Sequence, residues 1–266
     1  MAGRLQGKVA IVTGAGSGGP DAGVGIGQAI ATVLAREGAS VVLMDRDESR
    51  AQATLDSLAE HPGTGEVVVG DVTDAASCAA VVAAAVERFG GLDILVNNAA
   101  ISVHSPLVDT TEELYDRILT INLKGTFLAT RAAVPALIER GGGSIVNIGS
   151  TASIRDAGPA HAAYTASKGG QLGMMVDVAG EHGRNNIRVN SVLPGIIASP
   201  MQESLGSVSD EIKASLNLLG RMGSVWDIAH AVLWLCTDEA SYITGVALPV
   251  DGGATIGTPS NAFRRS

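Results

Sequence analysis

Short apolar runs alternate with amphipathic stretches along the whole chain. Residues 8–13 are mostly apolar and stop at a glycine-rich segment, after which 28–34 places apolar residues at helical spacing. Further short apolar runs at 39–44, 66–69, 92–96, 144–148, 186–193 and 245–250 read as buried strands. The stretches between them at 74–89, 112–138, 160–182 and 224–236 have the 3.6-residue period of helices. Strands alternating with helices predict an α/β fold: a doubly wound parallel sheet covered on both faces, with ligands at the strands' carboxyl ends.

Composition narrows the picture. The 266 residues show no internal repeat, linker or low-complexity segment, so one domain spanning 1–266 is expected. Within it, about 198–222 reads as a substrate loop and 254–266 as a short tail. Hydrophobic residues make up 46%, and the 34 glycines are scattered, which argues against disorder or collagen. With 27 acids against 18 bases, and no basic block before Arg264 and Arg265, nucleic acid is not an expected partner. No apolar run reaches the roughly 18 residues that a membrane span needs. The polar residues before the first strand do not resemble a signal peptide. Cys78 and Cys236 fall in apolar helical patterns, as core thiols of a reducing cytoplasm would.

Two constellations carry chemistry. Strand, glycine turn and helix start follow one another between Lys8 and Leu34, which is the order a pyrophosphate needs: glycines let the backbone approach and the helix amides face the phosphates. Asp45 closes the second strand 18 residues after Gly27, near the expected place of an acid that bonds the adenosine ribose. It would repel a 2′-phosphate and so favours NAD; the adjacent Arg46 could instead hold that phosphate and keeps NADP as the runner-up. A helix N-cap is the ordinary alternative for Asp45. The second constellation is Tyr164 and Lys168, four apart on a helix and hence on one face. A cation about 4 Å from the phenol, at an effective dielectric of about 20, is worth roughly 4 kcal/mol, or about three pKa units downward. The pair is thus expected to form an acid/base for an alcohol's proton.

The ordered set of motifs resembles the short-chain dehydrogenase/reductase family along nearly the whole chain. It comprises Thr13-Gly14 with Gly25-x-Gly27, Asp71-Val72, Asn97-Asn98-Ala99, Asn122, Ser150, Tyr164-x-x-x-Lys168, Pro194-Gly195 and the closing Val250-Asp251-Gly252-Gly253. The resemblance implies a Rossmann-like seven-stranded parallel sheet, a nicotinamide cofactor and alcohol–ketone redox chemistry. It makes Tyr164 the acid/base and Lys168 the group that lowers its pKa and holds the nicotinamide ribose. Ser150 would bond the substrate oxygen. Asn122 would interrupt its helix and hold a water leading to Lys168. Gly14, Gly25, Ile26 and Gly27 would meet the pyrophosphate, Asp71 and Val72 the adenine, and Asn98 the region of the nicotinamide ribose. Asn97 would be structural. Pro194, Gly195, the backbone of Ile197 and the hydroxyl of Ser199 would border the nicotinamide. The family is often dimeric or tetrameric, so a homo-oligomer, such as a homotetramer, is expected.

The chain departs from the family in three places. Ten residues separate Gly14 from Gly25, seven more than usual, and the extra segment with Pro20 and Asp21 is expected to bulge outward and leave the helix amides free. Gly18 is passed over as the second glycine because Pro20 would then fall where the third belongs. Ala100 replaces a glycine, and Ser150 to Tyr164 is one residue longer than expected, pointing to a slight bulge, with Ser153 as the fallback for Ser150. The segments 200–221, 101–106 and 153–161 should choose the substrate, a small or medium alcohol or ketone. His104, Arg155 and His161 either meet a polar group of it or lie at the surface. The rival reading is a dinucleotide-binding sensor or scaffold without chemistry, which would not be expected to keep all four polar positions. An epimerase or dehydratase would normally have a longer C-terminal portion.

Overall fold

The computed structural model describes residues 3–16, 23–156, 158, 160–203 and 209–257. The chain runs β1 (Val9–Thr13), α1 (Ile26–Arg36), β2 (Ser40–Asp45), α2 (Glu48–Ser57), β3 (Gly65–Val69), α3 (Ala75–Phe89) and β4 (Ile94–Asn97). It continues through α4 (Glu112–Leu119), a π-helical turn at Thr120–Lys124, α5 (Gly125–Glu139), β5 (Gly143–Ile148) and α6 (Ala162–His182). The last part holds β6 (Ile187–Pro194), β7 (Ile197–Ala198), α7 (Pro200–Glu203), α8 (Asp210–Ser215), β8 (Gly223–Ser224), α9 (Val225–Cys236) and β9 (Ala247–Val250). Seven strands form one sheet in the order β3-β2-β1-β4-β5-β6-β9, every pairing parallel. This is the Rossmann-like doubly wound sheet expected. β7 and β8 pair separately, also in parallel.

All five residues of β1 are buried, because both sheet faces are covered and neither can be polar. Ala10 and Val12 pack with Ile30 and Leu34 of α1 and with Ile228 and Val232 of α9. Val9 and Ile11 face the opposite way, toward Val81 of α3 and Ala133 and Leu137 of α5. Cys236 belongs to the first core and Cys78 to the second, so the two buried thiols are free and lie on opposite faces of the sheet.

The helix α2 was not foreseen in the hydrophobic pattern. It is polar along most of its length and buries only Ala51 and Thr54. Its cap is Asp47, which accepts from the Arg50 amide; Asp45 is therefore not the N-cap. The segment expected as a loop at about 198–222 contains α7 and also α8 at Asp210–Ser215, capped by Ser209, and 204–208 lie outside the described residues. Gly18, Pro20 and Asp21, with the expectation that the insert bulges outward, also lie outside them.

Strand order reverses between β1 and β4, the place where doubly wound sheets open a crevice for ligands. Asn98 bridges the gap: its amide nitrogen donates to the carbonyls of Thr13 (3.0 Å) and Gly14 (2.8 Å). Asn97 points into the core instead, donating to Thr130 and Asn147 (3.1 and 2.9 Å). The first turn of α1 crosses the end of β1 so closely that a Cβ on Gly27 would run into the Gly14 carbonyl and come within 2.6 Å of the Asn98 amide. At Gly25, a Cβ would have nothing nearer than 3.8 Å. We expect Gly27→Ala to lose about 1–3 kcal/mol in urea unfolding and Gly25→Ser, which keeps a capping residue, to stay within about 0.5 kcal/mol of the parent. Equal losses at both positions would contradict this packing.

Candidate active site

A cleft of about 770 Å³ opens along the carboxyl ends of the strands. Of the residues singled out above as catalytic or cofactor-binding, all but Asn122 line it. Ser150, Tyr164 and Lys168 meet at its centre because β5 ends just before Ser150 and α6 returns the chain beside that strand. Ser150 is extended (φ −163°, ψ 149°) and caps a short 3-10 turn at Thr151–Ser153, its Oγ accepting from the Ala152 amide at 3.1 Å. The fallback, Ser153, donates its hydroxyl to the Ser150 carbonyl (2.6 Å) and is not part of the cleft wall. The loop between Ser153 and α6 carries Gly158 (φ 91°) and Ala160 (φ 69°), a left-handed pair where one extra residue was counted. Ala157 and Pro159 lie outside the described residues.

Lys168 is almost wholly buried, and its Nζ donates to the Ile148 carbonyl at the end of β5 (2.7 Å). The ammonium sits 5.8 Å from the centre of the Tyr164 ring. Burial pushes Lys168 down from 10.5 to about 7. The expected lowering of the tyrosine is corrected here: Tyr164 is raised above its ordinary value, chiefly by burial, while a hydrogen bond with Ser150 pulls the other way. The Coulomb estimate from spacing assumed a firm charge and ignored desolvation; both groups lose more from leaving water than they gain from each other.

Asn122 lies behind the cleft, fully buried, in the π turn that breaks the run from α4 to α5. The interruption expected of this helix is thus present. Its side chain clamps Ile101 through both backbone groups (2.8 and 2.9 Å) and reaches the Ser167 hydroxyl (3.0 Å). Its carbonyl accepts from Thr126 Oγ1 (2.7 Å) and Gln171 Nε2 (2.8 Å), so a water on that oxygen would compete with two protein donors. Gln171 was missed because a glutamine three residues after the lysine has no sequence signature.

Elsewhere in the cleft wall stand Gly25, Ile26 and Gly27, where α1 begins without a side-chain cap from Gly25 and with no acid in its first turn, so the positive end of the helix dipole is there. Asp45 Oδ2 accepts from the Gly16 amide (2.8 Å) and Oδ1 from Asp47 (3.0 Å), which fixes the carboxylate at the cleft wall. Only a glycine fits at 16: a Cβ would come within 2.7 Å of Asp45 Oδ2 and 2.8 Å of Arg50 Cβ. Arg46 and, unforeseen, Arg50 also line this end. Val72 packs against Gly125, where a Cβ would come within 2.8 Å of its Cγ2. Pro194, Gly195, Ile197 and Ser199 border the far end, joined by Met201, Lys213 and Leu216 from the substrate loop, which sequence patterns did not single out. His104, Arg155 and His161 all line that end too; the two imidazoles touch edge to face at 4.0 Å, and the His161 ring is 6.2 Å from that of Tyr164.

A family profile described as enoyl-(acyl carrier protein) reductase matches residues 22–255. The 3-oxoacyl-(acyl-carrier-protein) reductase of Thermotoga maritima is 39% identical over 95% of this chain and all of its own. The trans-4-hydroxycyclohexanecarboxylate dehydrogenase of Sinomonas cyclohexanicum is 41% identical over 96% of this chain and 95% of its own. A crystal structure from Burkholderia xenovorans, assigned to the short-chain dehydrogenase/reductases, superposes with a TM-score of 0.91 at 41% identity, covering 97% of this chain and 100% of that one. The chain belongs to the short-chain dehydrogenase/reductase family. It is accordingly an oxidoreductase of that family, whose members use NAD(P).

The buried lysine has a thermodynamic signature. Between about pH 7 and 10.5 the unfolded chain keeps the Lys168 proton and the folded chain has lost it. Stability from this group is therefore lowest below pH 7 and rises as pH climbs toward 10.5. In Lys168→Met that contribution vanishes, so the gain in stability from pH 7 to 9 should be smaller than in the parent, as read from denaturant midpoints. Parallel curves would contradict the shift.

Proposed function

We propose that the protein is an NAD-preferring enzyme that interconverts a secondary alcohol and its ketone, with Tyr164 as acid/base. The observation that carries this reading is that Ser150, Tyr164 and Lys168 line the same cleft as the N-terminus of α1. The cradle suits a dinucleotide: Gly27 lets the first turn of α1 lie against the Gly14 carbonyl, Gly16 lets its backbone reach Asp45, and Gly25 caps the helix without a side chain. The amides of Ile26 and Gly27 would hold the pyrophosphate, Asp71 and Val72 would border the adenine, and Asp45 would take the ribose hydroxyls. Asp45 is a fixed negative charge and supports NAD, while Arg46 and Arg50 beside it make NADP the runner-up. Lys168 would bond the nicotinamide ribose, and Ile197 and Ser199 would hold the carboxamide. A bound nicotinamide supplies the hydride acceptor or donor.

Ser150 Oγ and the Tyr164 phenol then grip the substrate oxygen. In the reductive direction the phenol gives its proton to the oxygen as negative charge grows on it, and Ser150 steadies that charge. A phenol raised above its ordinary value is protonated at neutral pH, ready to donate. In the oxidative direction it must first lose that proton, so alcohol oxidation should gain with rising pH. Asn122 ties Ile101 to Ser167, which stands on the acid/base helix between Tyr164 and Lys168. Having both hydroxyls and the lysine together supports turnover over silent nucleotide binding. The free buried thiols fit a reducing cytoplasm, and the exposed Phe127 and Val176 on α5 and α6 fit a homo-oligomer. Among the described residues, no helix is long and apolar enough to cross a membrane.

Tyr164→Phe should lose about 10²- to 10⁴-fold in turnover of cyclic and acyclic secondary alcohols while binding NADH as the parent does. Normal turnover in that variant would end the mechanism. With the parent, kcat/KM for alcohol oxidation should rise from pH 7 to 9 and ketone reduction should not; the opposite trend would remove Tyr164 as the titrating group.

A further inference from the structure

We infer that the substrate carries a carboxylate, and that Lys213 receives it at the far wall of the cleft. This rests on the alcohol–ketone reading and adds the substrate's class. Lys213 stands on α8 of the substrate loop with its side chain only 11% exposed, and it lines the same cleft as Tyr164. Lysines are seldom so buried without a partner that warrants it. Its partner among the described residues, Asp210 one turn back on the same helix, lies 3.3 Å away and is 80% exposed. A pair made with so exposed a carboxylate is weakly held, and Asp210 can return to water at little cost. A carboxylate arriving from the cleft side, shielded from solvent, makes the stronger charge-assisted bond.

The neighbouring wall suits the same charge. Arg155 donates to the backbone carbonyls of Asp156 and Ala254 and, among the described residues, has no carboxylate within ion-pair distance. His104 and His161 line the same cleft, in contact with each other and with His161 6.2 Å from the Tyr164 ring. Asp156, which also lines the cleft, has Oδ1 engaged by the Gly158 amide (2.9 Å). Met201 and Leu216 beside Lys213 leave an apolar wall for the body of a hydroxy acid.

The experiment compares two hydroxy acids, 3-hydroxybutanoate and 4-hydroxycyclohexanecarboxylate, with their methyl esters, in the parent and in Lys213→Met and Lys213→Arg. For at least one pair, the parent should prefer the acid by about tenfold or more in kcat/KM. Lys213→Met should erase that preference, mainly through KM, and leave the ester within about twofold, while Lys213→Arg keeps the preference. Calorimetry of cyclohexanecarboxylate with the NADH-loaded protein supplies a readout without turnover: the parent binds it and Lys213→Met binds it at least tenfold more weakly. Esters accepted as well as acids, equal losses for both in Lys213→Met, or no carboxylate binding by the parent would overturn the inference. Turnover of neutral alcohols with any of these outcomes leaves the alcohol–ketone reading standing, whereas failure of that reading would appear in Tyr164→Phe and not in the calorimetry.

Discussion

The candidate site is held together by one hydrogen bond, from the buried Lys168 Nζ to the Ile148 carbonyl at the end of β5. It fastens the middle of α6 to the strand end and thereby sets Tyr164 beside Ser150. Such a bond to a charged group contributes roughly 1.5–3 kcal/mol. Its contribution does not cover the loss of water around the charge, which is why Lys168 falls to about 7. A lysine so poised holds its proton loosely at neutral pH, and a phenol next to it stays protonated. Both shifts come chiefly from burial, at a cost to stability that ordinary core packing would avoid.

The rest of the fold serves to aim that pair. Parallel strands put all their carboxyl ends on one edge, and the reversal of strand order between β1 and β4 parts the loops there. Asn98 keeps the parting at a fixed width by holding both carbonyls that follow β1. On the other side, the π turn at Thr120–Lys124 turns Asn122 inward, where a regular helix would continue past it. Its side chain and carbonyl then tie the loop at Ile101 to Ser167 and Gln171 of α6 in one polar knot. The side-chain amides of Asn122 and Gln171 both find acceptors in this knot, while Gln171 Oε1 has no partner among the described residues.

Sequence patterns revealed most of this frame, for reasons that can be named. Strands buried on both faces leave unbroken apolar runs, so β1, β2 and β5 were legible to within a residue or two. Asp45, Tyr164 and Lys168 stand out in the sequence at a strand end or a helical repeat, and Ser150 through the family resemblance; the fold brings all four to one cleft. Polar α2, with two buried residues, left no such trace. Gln171, Arg50 and Lys213 are ordinary surface residue types, and only the folded chain shows where they end up. The direction of the Tyr164 shift was misjudged because spacing reports who is near whom and is silent on how much water each has lost.

A crystal structure of the protein with NADH and a slowly reduced ketone tests the account most directly. The ketone oxygen should lie within about 2.6–3.2 Å of both Tyr164 Oη and Ser150 Oγ, with the pyrophosphate on the amides of Ile26 and Gly27 and Lys168 on the nicotinamide ribose. A cofactor bound elsewhere, or a ketone oxygen out of reach of Tyr164, would contradict it.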